Sequence, residues 1–434
     1  MPRPSFIDLF AGCGGLSLGL SLAGLQGLFA VERDGMAFRT FEDNFLCSRE
    51  VPIQHFAWPG WLERRAWSID DLLAKHRANL EQLRGTVDVL AGGPPCQGFS
   101  LAGRRQASDP RNQLFEKYVQ VVDAVRPRAL VVENVPGMGI AHSSGDDHEE
   151  PSRGHKESHY EKLKKMLVDV GYEVEGRVLD ASRHGVPQKR SRLIVLGLDK
   201  EHARRIHGGT KRVFALLEER RLGYLREMGL PSSISASEAI SDLHAEPGPR
   251  QPCTDPESNG PFEEATYLGP VTAYQRLMHR HCSNEAMDSM RLARHGAEVR
   301  ERFATIQAEC RPGVRVDRAS LAKYGLKKQR IHPMAPGEPA PTITTLPDDV
   351  LHYEEPRILT VRECARLQSF PDWFRFRGKF TTGGDRRTKE CPRYTQVGNA
   401  VPPHLGMMIG LAIVAVLEDG IDETARPPLD LELG

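Results

Sequence analysis

Short apolar runs alternate with longer amphipathic stretches over the first 200 residues of the chain. Five runs are rich in Val, Ile, Leu and Phe and have the length of buried strands. They are SFIDLF at 5–10, LFAVE at 28–32, VDVLAG at 87–92, RALVVEN at 128–134 and RLIVLGL at 192–198. Helical spacing fills the intervals at 16–23, 36–45, 114–125 and 159–170. Strands separated by helices predict an α/β fold with a doubly wound, mostly parallel sheet.

The pattern changes after residue 200. Pro, Gly, His and charged residues dominate 201–355, which predicts a second, smaller and irregular domain. An Arg-rich helical block follows at 357–370, and an apolar helix around 404–417 ends the ordered pattern. We therefore expect a Rossmann-like domain made of 1–200 plus 394–420, a second domain at 201–355, a connecting segment at 356–393 and a tail at 421–434.

The charge balance bears on nucleic-acid binding. The 434 residues contain 58 Lys+Arg and 58 Asp+Glu, which argues against binding over the whole surface. The neutrality is an average, however, because residues 271–333 carry 13 basic against six acidic side chains. The loop at 101–112 adds Arg104, Arg105 and Arg111 against Asp109. A basic cleft that binds one site at a time is compatible with this distribution.

The cysteines and apolar runs indicate the compartment. Eight cysteines are scattered without a CxxC pair, which favours a reducing environment. The N-terminus lacks the regions of a signal peptide, and the apolar stretch at 405–417 is shorter than the roughly 20 residues that cross a bilayer. We expect a cytoplasmic monomer that does not associate with membranes. The His-containing segment 141–157 is predicted to be a surface loop, and we expect no metal.

A glycine-rich turn follows the first predicted strand. Gly12, Gly14 and Gly15 lie between strand and helix, where the backbone approaches a ligand closely. Glu32 ends the second strand and is placed to accept hydrogen bonds from ribose hydroxyls. Ser17 stands where a dinucleotide fingerprint has glycine, which favours a nucleoside cofactor without a pyrophosphate and disfavours a nicotinamide oxidoreductase.

A cysteine, an acid and two arginines follow other predicted strands. Cys96 lies in PPCQGFS, just beyond the carboxyl end of the third strand, in a stiff turn that suits a nucleophile. Glu133 ends the fourth strand and is expected at the same edge of the sheet. Arg190 and Arg192 lie at the entrance of the fifth predicted strand and are candidate donors beside Glu133.

Six motifs together resemble the DNA (cytosine-5) methyltransferase family, in the family's order and near both ends of the chain. They are FIDLFAGCGG, PPCQGFS, ENV at 133–135, QKRSR at 188–192, RILTVRECARLQSFP at 357–371 and QVGNAVPP at 396–403. The resemblance implies a class I methyltransferase domain with a target-recognition domain in 201–355. It further implies an enzyme of bacterial or phage restriction-modification or solitary type, which acts on double-stranded DNA, with any cognate restriction endonuclease acting separately.

The resemblance also implies roles for individual residues. Cys96 would add to carbon 6 of cytosine, while Glu133, protonated or sharing a proton, would hydrogen-bond ring nitrogen 3. Arg190 and Arg192 would donate to the base oxygen and to Glu133, with Arg192 the expected base contact. Since carbon 6 is inaccessible within a duplex, the base must be flipped out.

S-adenosylmethionine is the cofactor that the resemblance implies. The residues expected to bind it are Phe10, Gly12, Gly14, Glu32, Pro95, Asn399 and Val401. The family pattern has Asp where this chain has Ser68, so the contact to the adenine amino group falls to Ser68 or Asp70.

Two alternatives keep the fold and change the function. An RNA cytosine-5 methyltransferase is disfavoured because the transfer-RNA branch carries a Cys-Phe-Thr string that this chain lacks. A non-catalytic DNA-binding regulator is disfavoured because Cys96, Glu133 and both arginines are all present.

Overall fold

A six-stranded sheet forms the centre of the computed structural model, which describes residues 3–47, 49–95, 114–139, 158–246, 248–283, 287–326, 330–382, 386 and 389–418. The strand order is β2-β1-β3-β4-β6-β5. The strands are β1 (Ser5–Leu9), β2 (Gln26–Val31), β3 (Val89–Gly92), β4 (Ala129–Asn134), β5 (Tyr172–Asp180) and β6 (Ser191–Asp199). The first four are parallel, and β6 is antiparallel to both β4 and β5. The predicted α/β class with a mostly parallel sheet is confirmed.

Helices cover the sheet and build the rest of the described chain. They are α1 (Gly15–Leu22), α2 (Gly35–Phe45), α3 (Ile69–Gln82), α4 (Leu114–Val125), α5 (His159–Asp169), α6 (Lys200–Arg205), α7 (Thr210–Glu227), α8 (Ala236–Ile240), α9 (Ala273–His279), α10 (Ala297–Glu309), α11 (Arg318–Lys323), α12 (Val361–Leu367), α13 (Arg393–Asn399) and α14 (Pro403–Glu418). Four short strands lie after α8: β7 (Arg250–Pro252), β8 (Glu263–Ala265), β9 (His332–Pro333) and β10 (Val350–Leu351).

The sheet separates two apolar layers. Successive side chains of a strand point to opposite faces, so Phe6 enters one layer and Ile7 the other. One layer packs the sheet against α1, α2, α7 and α14, and the other packs it against α3, α4 and α5. The apolar runs seen in the sequence are therefore strands buried on both faces.

The strand β5 was missing from the sequence prediction. It lies at the edge of the sheet, and beyond Val174 none of its residues is buried. Charged residues at 173, 175 and 177 and Gly176 break the apolar run that a central strand would show. A Cβ at Gly176 would lie 2.5 Å from the Tyr160 ring, so glycine allows α5 to pack closely on this edge.

The helix α14 packs directly on α1. A Cβ at Gly19 would lie 2.5 Å from Pro403 O, and one at Gly410 would lie 2.6 Å from Ala23 Cβ, so the backbones approach closely. Within the described residues, the segment Arg393–Glu418 is long and apolar enough to cross a membrane, yet 83% of its 18-residue apolar stretch is buried inside the protein. Its apolar character is thus accounted for by packing in the core.

The region from 201 to 355 contains more helix than its composition suggested. In particular, α7 contacts β5, β6 and α14, so residues up to about 227 pack on the sheet. The boundary expected at 200 therefore divides a region that packs as one layer. We propose that the second domain begins with the short elements after α7.

Candidate active site

The loops after β1, β2, β3 and β4 meet at the carboxyl edge of the sheet. Ligands of open α/β sheets bind at this edge. Five segments that the sequence singled out lie at or next to it: the turn at 10–14, Glu32, the turn at 93–95, Glu133 and the entrance of β6.

The turn after β1 is fixed in an unusual backbone conformation. Phe10, Gly12 and Gly14 have φ angles of 62°, 58° and 97°, and Gly14 N donates to Ala11 O at 2.9 Å. A Cβ at Gly14 would lie 2.4 Å from the Phe45 ring, whereas one at Gly12 would meet no atom within 4 Å. The turn is thus packed tightly on one side and has open space beside Gly12.

Glu32 connects this turn to α2. Its Oε2 accepts from Gly12 N at 2.9 Å, and its Oε1 accepts from Asp34 N at 2.7 Å. Burial raises the pKa of the Glu32 carboxyl, and the two amides oppose that effect. Each carboxylate oxygen has a further lone pair for a ligand hydroxyl.

A second buried acid lies beneath the turn. Asp8 is 1% exposed and accepts from Ser17 Oγ at 2.6 Å. Burial raises the pKa of Asp8 to about 7. Ser17, the residue that departs from the dinucleotide fingerprint, therefore joins α1 to β1 through a side-chain hydrogen bond, a role that the sequence did not indicate.

The segment at 67–70 is attached to Glu32 through the backbone. Trp67 N donates to Glu32 O at 2.8 Å. Ser68 Oγ caps α3 by accepting from Asp71 N at 3.0 Å. Asp70 is paired with Lys117 Nζ of α4 at 3.1 Å. Of the two residues expected near the adenine, Ser68 is the one adjacent to the connection with Glu32.

The C-terminal motif returns to the first turn. A Cβ at Gly15 would lie 2.3 Å from Val401 O, so this segment lies directly against the start of α1. Val401 is buried, and Asn399 at the end of α13 is exposed. The structure thereby places Val401 beside the glycine turn and Asn399 two residues away.

Glu133 and Arg192 form an ion pair at the end of β4. Arg192 Nε lies 2.8 Å from Glu133 Oε1, with only 13% and 12% of the two side chains exposed. They meet because β6 is antiparallel to β4 and its first residues lie beside Asn134. A Cβ at Gly93 would lie 3.4 Å from Glu133 Oε2, so glycine leaves room around this carboxylate. An acid and a guanidinium are thus held side by side at the sheet edge.

Asn134 fastens the turn that leads to the predicted nucleophile. Its Nδ2 donates to Pro94 O at 2.9 Å, and its Oδ1 accepts from Val135 N at 2.8 Å. The ENV motif had predicted a role for Glu133 and none for Asn134. The motif itself was the signal that could have indicated this residue.

Several expectations fall on residues outside the described ranges. Pro95, half-buried, is the last described residue of its turn, so Cys96 lies outside them. The same holds for the basic loop at 101–112 and for the loop at 141–157. In the part of the chain that is described, no three His, Cys, Asp or Glu side chains are grouped to hold a metal ion.

Arg190 does not face the site in the way that the sequence suggested. It is 1% exposed, and its two terminal nitrogens donate to Ile343 O at 3.2 Å and to Gly398 O and Ala400 O at 3.0 Å. Burial lowers its pKa well below the usual value for arginine. Since these donors are used by backbone carbonyls, we retain only Arg192 as a candidate base contact. Arg190 instead joins β6 to the end of the second region and to the QVGNA segment.

The fold is similar to that of a prophage-encoded protein of E. coli, described as a candidate DNA modification methyltransferase. The TM-score is 0.62, with 24% identity over 96% of this chain and all of that one. Together with the strand order, this similarity defines a class I methyltransferase fold.

Sequence comparisons identify the family. The profile of the family described as C-5 cytosine-specific DNA methylase matches residues 4–415. The chain is 30% identical over 411 residues to the Type II methyltransferase M.DdeI of Desulfomicrobium norvegicum, which covers 93% of this chain and 87% of that protein. It is 31% identical over 415 residues to the Type II methyltransferase M1.HphI of Haemophilus parahaemolyticus, and that alignment covers 94% of this chain and 86% of the relative. The chain belongs to the C-5 cytosine-specific DNA methylase family.

Proposed function

We propose that this chain methylates carbon 5 of a cytosine flipped out of a specific duplex DNA sequence, using S-adenosylmethionine and a covalent bond from Cys96 Sγ to carbon 6. The observation that carries the proposal is the Glu133–Arg192 pair, joined at 2.8 Å. It lies where Asn134 fastens the turn that precedes Cys96. An acid and a guanidinium held in this way match the ring nitrogen and the exocyclic oxygen of a cytosine.

The first two strand ends suit an adenosine-containing cofactor. The space beside Gly12 admits a ligand close to the backbone, and the Glu32 carboxylate keeps lone pairs for two ribose hydroxyls. S-adenosylmethionine supplies an electrophilic methyl group when bound there. The residues that would hold it are Phe10, Gly12, Gly14, Glu32, Pro95, Asn399 and Val401.

For the adenine amino group we propose Ser68. Its hydroxyl proton is directed to Asp71 Oδ2 at 2.8 Å, so an oxygen lone pair can accept from an amino group. The competing Asp70 is 62% exposed in its side chain and is paired with Lys117.

The chain's own residues would act on the base as follows. Attack by the Cys96 thiolate forms the Sγ–C6 bond and moves the electron pair of the C5=C6 bond into the ring, where a hydrogen bond donated by the protonated Glu133 carboxyl to nitrogen 3 offsets the charge. Carbon 5 is then nucleophilic and takes the methyl group, whose bond to the sulfonium sulfur of the donor would break to leave a neutral thioether. Loss of the carbon 5 proton, for which we propose water as the base, restores the double bond and expels the thiolate.

The substrate in this proposal is double-stranded DNA. Extrusion of the cytosine costs a few kcal/mol, and phosphate contacts from basic side chains offset part of that cost. The region after α7 would supply target recognition. We also propose that the protein acts as a cytoplasmic monomer and that any cognate endonuclease is a separate protein, as the Type II naming of the relatives suggests.

Transfer of a labelled methyl group to duplex DNA tests the proposal. Wild-type protein should label DNA, Cys96→Ser should not, and Cys47→Ser, at an exposed cysteine, should retain activity. A duplex with 5-fluorocytosine should form a denaturant-resistant adduct with wild type, because fluorine does not leave as a proton does. Absence of label in any duplex, or label in transfer RNA instead, would overturn the DNA assignment. An equally stable adduct with Cys96→Ser would remove Cys96 from the role of nucleophile.

A further inference from the structure

A turn at 344–349 is attached to the strand that carries Arg192. Lys189 N donates to Ala340 O at 2.8 Å. Ile343 N donates to Gln188 Oε1 at 2.9 Å. Together with the bond from Arg190 to Ile343 O, these contacts fix the start of the turn to the residues just before β6.

The same turn also rests on the cofactor motif. A Cβ at Gly398 would lie 2.3 Å from Thr344 O and 2.8 Å from Thr345 N, so the two backbones are in direct contact. Gly398 immediately precedes Asn399, which is exposed. The turn therefore lies between the entrance of β6 and the QVGNA segment.

Internal hydrogen bonds make the turn rigid. Thr344 Oγ1 donates to Asp349 Oδ2 at 2.8 Å, and Asp349 N donates to Leu346 O at 3.3 Å. Pro347 fixes its own φ angle directly after Leu346. A side chain at the tip of this turn is consequently presented in a defined position.

Leu346 occupies that tip and is 41% exposed. A single exposed leucine is ordinary on a protein surface. Here, however, it is held by a braced turn and lies three residues after Ile343, hence within about 10 Å of it along the chain. In some DNA-binding proteins, apolar side chains such as leucine insert between base steps and partly unstack them.

We propose that Leu346 inserts into the base stack of the duplex beside the flipped cytosine and so stabilises the extruded state. This inference rests on the proposed function, because it assumes that duplex DNA occupies the carboxyl edge of the sheet. Leu346 acts on the duplex in this proposal and does not touch the reacting atoms. Its contribution should therefore depend on how much energy the extrusion costs.

Two duplexes that carry the recognition sequence test this inference, once bisulfite sequencing of DNA from a host that expresses the protein has identified that sequence. In one, the target cytosine is paired with guanine; in the other it faces an abasic position, which lowers the cost of flipping. Leu346→Ala should reduce kcat/KM on the paired duplex roughly tenfold, as expected for losing most of a leucine side chain from an apolar contact. It should have little effect on the duplex with the abasic position.

Matched variants separate the outcomes. Leu346→Met keeps apolar reach and should stay near wild type, and Leu222→Ala removes a leucine that is 52% exposed on α7 and should leave the ratio of the two duplexes unchanged. Equal losses of Leu346→Ala on both duplexes, or no loss on either, would overturn the inference while leaving methylation intact. If wild-type protein labels neither duplex, the proposed function itself has failed.

Discussion

Replacement of Arg366 by methionine should destabilise the fold strongly, because Arg366 neutralises two acids in the interior. Its Nε lies 2.6 Å from Asp372 Oδ1, and its NH1 lies 3.1 Å from Asp242 Oδ1, with none of the three side chains exposed. It also donates to Ala239 O at 3.0 Å. The residue thus connects α12 to α8 and the turn after it.

The magnitude follows from the two carboxylates that remain. Breaking a buried ion pair by removing one partner costs about 3–5 kcal/mol. Protonation of a remaining carboxylate limits that cost. At 1.36 kcal/mol per pH unit, an acid with an unfolded pKa of about 3.9 is protonated at a cost of about 4 kcal/mol at pH 7 and about 1.5 kcal/mol at pH 5. The difference between wild type and Arg366→Met should therefore narrow by about 2–3 kcal/mol between pH 7 and pH 5.

The sign follows from the two pKa directions. In the variant, Asp242 loses the guanidinium that opposes the effect of burial, so its folded pKa, which burial raises even in wild type, rises further above the unfolded value and stability rises as the pH falls. In wild type, Arg366 holds the pKa of Asp372 below its usual range against the effect of burial. The contribution of Asp372 is therefore fully present above its unfolded pKa and is lost only as the pH falls through the lower folded pKa.

Urea titrations followed by tryptophan fluorescence at pH 7 and pH 5 provide the measurement. Arg366→Met combined with Asp242→Asn and Asp372→Asn should recover part of the lost stability. The control variant Arg205→Met removes the partner of Glu201 in an ion pair at the surface. It should change the free energy of unfolding by less than about 1 kcal/mol. If the difference in free energy of unfolding between wild type and Arg366→Met stays constant or widens on acidification, this account of the buried cluster is refuted.

Three further outcomes are expected. Gly398→Ala should displace the turn at 344–349, because the new Cβ would lie 2.3 Å from Thr344 O, and the rate of methyl transfer should fall roughly tenfold or more. The control Gly223→Ala, where a Cβ meets nothing within 4 Å, should leave methyl transfer unchanged. Arg190→Lys should lower the free energy of unfolding by about 2–3 kcal/mol, because one ammonium group cannot replace the hydrogen bonds that the guanidinium donates to three carbonyls. Normal stability with a raised KM for DNA would instead favour a contact between Arg190 and the base. Asp8→Asn should be more stable than wild type at pH 8, and this difference in stability should shrink by roughly 2–3 kcal/mol toward pH 5. The reason is that burial raises the pKa of Asp8 to about 7, so wild type gains stability as that acid is protonated. Denaturation midpoints of both proteins at the two pH values would measure the difference.

The motifs carried most of what could be predicted about the site. A glycine turn after a strand and an acid after the next strand are local patterns, and parallel strands bring their carboxyl ends to one edge whatever the rest of the chain does. Glu32 contacts Gly12 N for this reason, although 20 residues separate them. Glu133 could likewise be placed at the edge from the end of its apolar run.

Local sequence could not tell Arg190 from Arg192. Both lie in QKRSR with a single residue between them, and both could have served as donors to Glu133. The acceptors that bind Arg190 lie 153, 208 and 210 residues further along the chain, so its burial depends on contacts that only folding creates. The exposed position of Leu346 beside the same segments has the same origin.

The sequence by itself determined the α/β class, the core strands and the edge where the chemistry is expected, because these follow from local periodicity and from motifs at strand ends. The tertiary structure decided the edge strand β5, the packing of α7 on the sheet and the pairing of Glu133 with Arg192. Each of these depends on close packing or on hydrogen bonds between segments far apart in the chain, and such contacts leave no periodic trace in the residues that make them.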